Sequence, residues 1–156
     1  MVNRPKNIGT ATETAVVRYA RYSGFLLAER RALAGSNDLG DILLCPHVIV
    51  EVKGGKAAET ASDAQILAWL AETETERRNA DADVALLVTK RKAHGLANPQ
   101  GWWTHWRLGH LAQLRDYPLD LSETLADEAV VRMTLASALA QLRAAGYGTP
   151  INQEAH

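Results

Sequence analysis

The sequence predicts an α/β domain in which helices flank a mixed β-sheet. Three observations carry this. Helix-periodic segments with capping residues occur near residues 12–23, 62–79 and 122–145. Between them lie short apolar runs of strand length, "DILLC", "VIVEVK" and "DVALLVTKR". The predicted order, α-β-β-β-α-β-β-α, interleaves the two kinds of element. A length of 156 residues suits one domain with a real core.

The first helix is expected from Thr10 or Thr12 to about Ser23, stopped by Gly24, with Val16, Val17 and Ala20 on its buried stripe. "FLLAERRAL" follows as a strand, and "AGSNDLG" as a turn cluster. "DILLC" and "VIVEVK" then pair around Pro46, and Gly54-Gly55 ends the second of them. A second helix runs from Ser62 or Asp63 to about Asn79, with Ile66, Leu67, Leu70 and Trp69 on its apolar side. "DVALLVTKR" is a continuous apolar run, the pattern of a strand buried on both faces. "KAHGLANPQG" reads as a long functional or mobile loop, and "WWTHWRL" as a further strand. A last helix spans about Ser122 to Ala145, and residues 147–156 form a loose tail.

Composition narrows the function classes. No apolar run reaches the roughly 18 residues of a membrane span, and "MVNRPKNIGT" lacks the apolar centre of a signal peptide. Cys45 is the sole cysteine, so no internal disulfide forms and a reducing, cytoplasmic setting is expected. Net charge is only −1, but it is unevenly spread. Residues 1–56 hold eight Lys or Arg against five acids, and residues 113–156 hold six acids against three Arg. One face can therefore attract a polyanion. The five histidines have no metal-ligand spacing, "KGGK" lacks the frame of a phosphate-binding loop, and no local motif suggests a Ser-His-Asp or Cys-His arrangement.

The chemistry concentrates in "DILLCPHVIVEVK". Strand side chains alternate, so Glu51 and Lys53 share one face while Val48, Val50 and Val52 take the other. If the two strands pair, Asp41 lies at the Lys53 end of the hairpin. Two carboxylates and an ammonium then converge, and burying them without a partner or a metal is expensive. Glu13 falls in line with Val16, Val17 and Ala20 on the first helix and could reach the same place. Three oxygen ligands suit Mg²⁺ or Mn²⁺, and the chemistry such a site serves is phosphodiester hydrolysis.

Glu13, Gly40-Asp41 and Glu51-Val52-Lys53 together resemble the PD-(D/E)XK nuclease superfamily, whose motif is an acid, about ten residues, then acid-x-Lys. The helix acid, the "GSNDLGD" lead-in and the helix after "EVK" look most like Holliday junction resolvases of the archaeal type and their phage relatives. The resemblance covers residues 7–91, leaving 92–146 as a C-terminal extension of a single domain. It implies a restriction-endonuclease-like fold and a Mg²⁺- or Mn²⁺-dependent homodimer that cuts four-way DNA junctions, in the cytoplasm of a cell or of a phage host. Asp41 and Glu51 would be direct metal ligands, Glu13 the helix acid completing the site, Lys53 the catalytic lysine and Gln65 a polar residue near it. The motif's proline is absent, since Gly40 precedes Asp41.

Further residues are candidates for DNA contact. Arg30 and Arg31 point to opposite faces of a strand, so one of them, Arg30, can reach DNA. Ser36 can hydrogen-bond phosphate or simply form a turn. Lys56, Lys90, Arg91 and Lys92 concentrate charge after strands, as phosphate contacts or solvated strand ends. Trp102, Trp103 and Trp106 read as core or dimer-interface residues in preference to base-stacking platforms. Two other functions stay open: a related nuclease for flaps, ends or duplex, and a non-catalytic nucleic-acid-binding subunit.

Overall fold

The computed structural model describes residues 4–32, 37–117 and 129–148, with the side chains of 4–8 left out. Ser36, the start of the expected last helix and the tail from residue 149 lie outside the described residues.

The described residues build a general α/β fold, a mixed six-stranded sheet with five α-helices. In chain order these are α1 (Arg4–Tyr22), β1 (Glu29–Arg30), β2 (Ile42–Cys45), β3 (Val48–Lys53), α2 (Gly55–Glu59) and α3 (Asp63–Asn79). There follow β4 (Val84–Thr89), a 3-10 turn at Pro99–Gly101, β5 (Trp103–Arg107), α4 (Leu108–Arg115), β6 (Val130–Thr134) and α5 (Leu135–Ala144). Strand order equals chain order, β1-β2-β3-β4-β5-β6. Only β3 and β4 run parallel, so they alone need a helical crossover, supplied by α2 and α3.

The alternation read in β3 divides the molecule. Val48, Val50 and Val52 join Ile42, Leu44, Leu86 and Val88 against Ala15, Val16, Val17 and Ala20 of α1 and Leu135, Ala138, Leu139 and Leu142 of α5. The opposite face carries Ile49, Glu51 and Lys53 and is crossed by α3. Trp102 and Trp106 are fully buried in the first layer, as their size demands. The loop at 90–101 is anchored there, because Trp102 Nε1 donates to the His94 carbonyl (2.9 Å).

Several expectations are corrected. Helix α1 starts at Arg4, before the expected Thr caps. Thr12 takes the buried stripe at 1% exposure, and Glu13 flanks it. "FLLAERRAL" yields only two residues of strand. Phe25 and Ala28 are buried, but Leu26 and Leu27 turn outward and the chain reaches the sheet only at Glu29. On α3, Leu67 is exposed and the buried side is Leu70, Thr73 and Glu76. Within the described part of the expected helix over 122–145, residues 130–144 form a strand and a shorter helix. The β-branched run from Val130 pairs with β5, and Thr134 then starts α5 by accepting a hydrogen bond from the Ser137 amide (3.2 Å). Helices α2 and α4 and strand β6 were not read in the sequence.

Helix α1 lies close over the end of β3. A Cβ at Gly54 would overlap the Thr12 Oγ1 and lie 3.1 Å from the Thr12 Cβ and Cγ2. Gly54→Ala is therefore expected to cost about 1–3 kcal/mol through overpacking, lowering the midpoint of a thermal melt by several degrees. An unchanged melt would mean that α1 yields freely here.

Candidate active site

The hairpin places the expected groups together. Ile42 pairs with Val50, and the Asp41 amide donates to the Val50 carbonyl (3.1 Å), which extends β2 by one rung. The Asp41 carboxylate, through Oδ2, accepts the Val52 amide (2.8 Å). Asp41 is thereby fixed beside the Glu51–Lys53 end of β3. Gly40 makes this possible, for its φ of +88° is closed to proline and strained for other residues. The absence of the motif's proline has a backbone reason.

Glu51 is 5% exposed, and its Oε2 has no hydrogen-bond partner. Lys53 Nζ pairs with Glu51 Oε1 at 2.9 Å and lies 3.6 Å from Glu72 Oε2, with the Trp69 ring 5.8 Å away. Burial works against the Lys53 charge, but Glu51, Glu72 and Asp41 outweigh it and hold the ammonium above the usual lysine range. Burial first, and then the Glu51 charge, push Asp41 up to about 7. Glu51 is likewise raised to about 7, by burial and by Glu76, against the lowering pull of Lys53. The site thus carries one firmly charged cation and carboxyls that resist losing their last protons.

Two residues of α3 belong here and were not read in the sequence. Glu76, 5% exposed, lies close enough to Glu51 for its charge to raise the Glu51 carboxyl, and has its own unpartnered Oε2. Burial and the nearby Asp38 charge raise it to about 7. Glu72 restrains Lys53 from the solvent side. Glu76 follows Leu70 and Thr73 at three-residue steps, so an acid on a buried helical stripe was its signal. Gln65 is exposed near the start of the same helix, where its amide donates to Ser62 Oγ (3.2 Å). Trp69, Glu72 and Glu76, further along, are the helix side chains that reach the strand pair.

Glu13 approaches from the other layer. Arg30 donates to its carboxylate through Nε (2.8 Å) and to Thr10 Oγ1 (3.4 Å). The Glu13 charge still reaches Asp41, whose carboxyl it helps to raise. Arg30 is thus engaged with α1, while Arg31 donates to the Leu39 carbonyl (3.1 Å). Lys90 pairs with Glu59 at 2.6 Å, and Lys92 and Lys56 also act on Glu59, holding its carboxyl below the usual range. Arg91 lies over Trp103.

The chemistry of the donors fits a hard divalent cation, since half-buried Asp41 and buried Glu51, whose Oε2 is unpartnered, share the single ammonium of Lys53 as counter-charge. Among the described residues no group of three or more His, Cys, Asp or Glu is arranged to hold a metal ion. The structure offers a pair, Asp41 and Glu51. Cavities do not compete with this site. One of about 550 Å³ lies at the opposite end of β4, around Asp83, His110 and Tyr147, and a smaller one of about 190 Å³ borders Asp41 itself. No helix among the described residues is long and apolar enough to cross a membrane. Compared with known proteins, the chain matches no family model, no curated protein and no solved structure.

Proposed function

We propose that the chain is a metal-dependent endodeoxyribonuclease of the restriction-endonuclease-like type, hydrolysing phosphodiester bonds and resolving four-way DNA junctions as a homodimer. One observation carries the reading: Asp41, Glu51 and Lys53 meet at adjacent strand ends, with the carboxyls raised to about 7 and the lysine held charged. Catalytic groups are the usual owners of such perturbed, mutually dependent pKa values.

Asp41 and Glu51 would hold Mg²⁺ or Mn²⁺, which a hard cation allows through one or two carboxylates with substrate phosphate and water completing its shell. A bound cation supplies charge neutralisation at the phosphoryl oxygen and a more acidic water. Lys53 stands beside Glu51 with its proton retained, so it can orient the attacking water or stabilise charge on the phosphoryl group. Glu72 and Trp69 limit where its ammonium can swing. The homodimer follows from substrate symmetry: a four-way junction needs two matched cuts, and a two-fold pair of sites supplies them.

The absence of a third grouped ligand among the described residues favours a second reading, a nucleic-acid-binding subunit without catalysis. One assay separates the two. Purified protein with Mg²⁺ or Mn²⁺ is offered a four-way junction, a flap and a plain duplex. Cutting is expected, with the junction preferred, and preference for flap or duplex would redirect the substrate assignment. DNA binding without cutting of any substrate, and without metal-linked stabilisation, would leave the binding subunit.

A further inference from the structure

Trp103 is the partly exposed member of the tryptophan group, and it is doubly occupied. The Arg91 guanidinium lies over its ring at 3.9 Å and the Arg132 guanidinium at 4.2 Å. Arg91 comes from the loop two residues past β4 and Arg132 from β6, so positive charge reaches one indole on β5 from both sides. Among the described residues neither arginine forms a salt bridge. Besides the ring contact, Arg91 makes a long hydrogen bond to the Gly101 carbonyl (3.4 Å).

Sheet register relates this cluster to the candidate active site. Lys53 pairs with Thr89, Thr89 with Trp103 and Trp103 with Thr134, forming one row across four strands. Directly paired residues share a face, and Arg132, two residues before Thr134, shares it too. Trp103 therefore stands two strand spacings from Lys53, about 10 Å along that row. Beside the end of β3, Lys56 and Lys92 act on Glu59 and Lys90 pairs with it, so three lysines gather around that one acid.

We propose that this face carries a phosphate-binding surface, in which Arg91 and Arg132, held over the Trp103 ring, grip the backbone of a nucleic acid whose scissile bond lies at Lys53. Contact with the ring restrains both guanidinium groups while N–H donors remain for phosphate oxygens, which arginine recognises well. Like charges gathered on one ring repel each other, and a polyanion relieves that. The surface rests on the nuclease reading only in placing the scissile bond. An acidic polypeptide is the competing partner, and the test includes it.

The test is a fluorescence-anisotropy titration of the full chain against labelled four-way and duplex DNA, in EDTA, across a salt series. Arg132 is exposed, so Arg132→Ala should melt as the wild type does. It should bind about 5–10-fold more weakly at low salt and lower the log Kd–log salt slope by about one, the signature of one lost phosphate contact. Arg91→Ala should do the same, and Arg132→Lys should keep the slope while losing part of the affinity. Unchanged affinity and slope in both alanine variants would overturn the surface while leaving the nuclease reading intact. Equal affinity for polyglutamate would overturn the nucleic-acid assignment. Wild-type binding that depends on both arginines, without cleavage in Mg²⁺ or Mn²⁺, would uphold the surface and defeat the nuclease.

Discussion

Glu51→Gln is expected to reduce cleavage by at least about 10³-fold while making the metal-free protein more stable at pH 8. Both effects come from one atom. The substitution keeps the shape of a side chain that is 5% exposed, but removes a charge that burial and Glu76 oppose. On the proposed reading Glu51 is a ligand to the cation, so its loss removes the interaction on which hydrolysis would depend, and effects of that size are usual for groups acting on the developing charge. Relief of the buried charge works the other way, toward a higher melting temperature. Asp41→Ala should abolish cutting as well, without the gain, because it also strips the Val52 amide of its acceptor. Lys53→Ala should abolish cutting with DNA binding largely kept. Should Glu51→Gln cut at the wild-type rate, Glu51 is not a ligand and the proposed chemistry falls.

The metal-free protein is expected to lose stability as pH rises, and divalent cation should return it. Asp41, Glu51 and Glu76 are all raised to about 7 in the folded state, from ordinary values of 3.8 for Asp41 and 4.5 for the two glutamates. A carboxyl with a raised folded pKa holds its proton more tightly when folded. Its contribution to stability is complete below the unfolded value, and is lost as pH climbs toward and through about 7. Each unit is worth 1.36 kcal/mol, so a single group of the three accounts for about 3 kcal/mol. For a chain of this size that is a fall of roughly 10 °C in melting temperature between pH 4.5 and pH 8. Millimolar Mg²⁺ or Mn²⁺ at pH 8 should recover much of it, since binding only to the folded state stabilises by mass action. A melting temperature flat across this range would mean that the three carboxyls titrate normally and the site needs no counter-charge.

The parts of the fold legible in the sequence are those where local pattern and tertiary demand agree. "VIVEVK" alternates and becomes β3 over the same six residues, and Ser62 caps α3 where the pattern begins it. The failures are equally physical. Leu26 and Leu27 look like strand residues, yet a buried Phe25 and Ala28 suffice to hold that segment, so the two leucines are left outside. Val130 to Thr134 sits inside a stretch of helix formers, and only the open edge of β5 makes it a strand. In the candidate site, the strand residues were readable because period two fixes their side. Glu13 was harder, since the helical stripe is broad enough to put either Glu13 or Thr12 inward, and Arg30, seventeen residues away, holds Glu13 at the flank. Glu76 went unread because "ETETERR" looks like a solvated helix face until α3 is laid across the sheet.

The bond from the Val52 amide to Asp41 makes the site observable without any substrate. Val52 lies between Glu51 and Lys53, so its N–H is a built-in probe of the whole group. In an amide spectrum its shift should follow the Asp41 titration. Its exchange with solvent should slow when a cation or a phosphate locks the carboxylate in place.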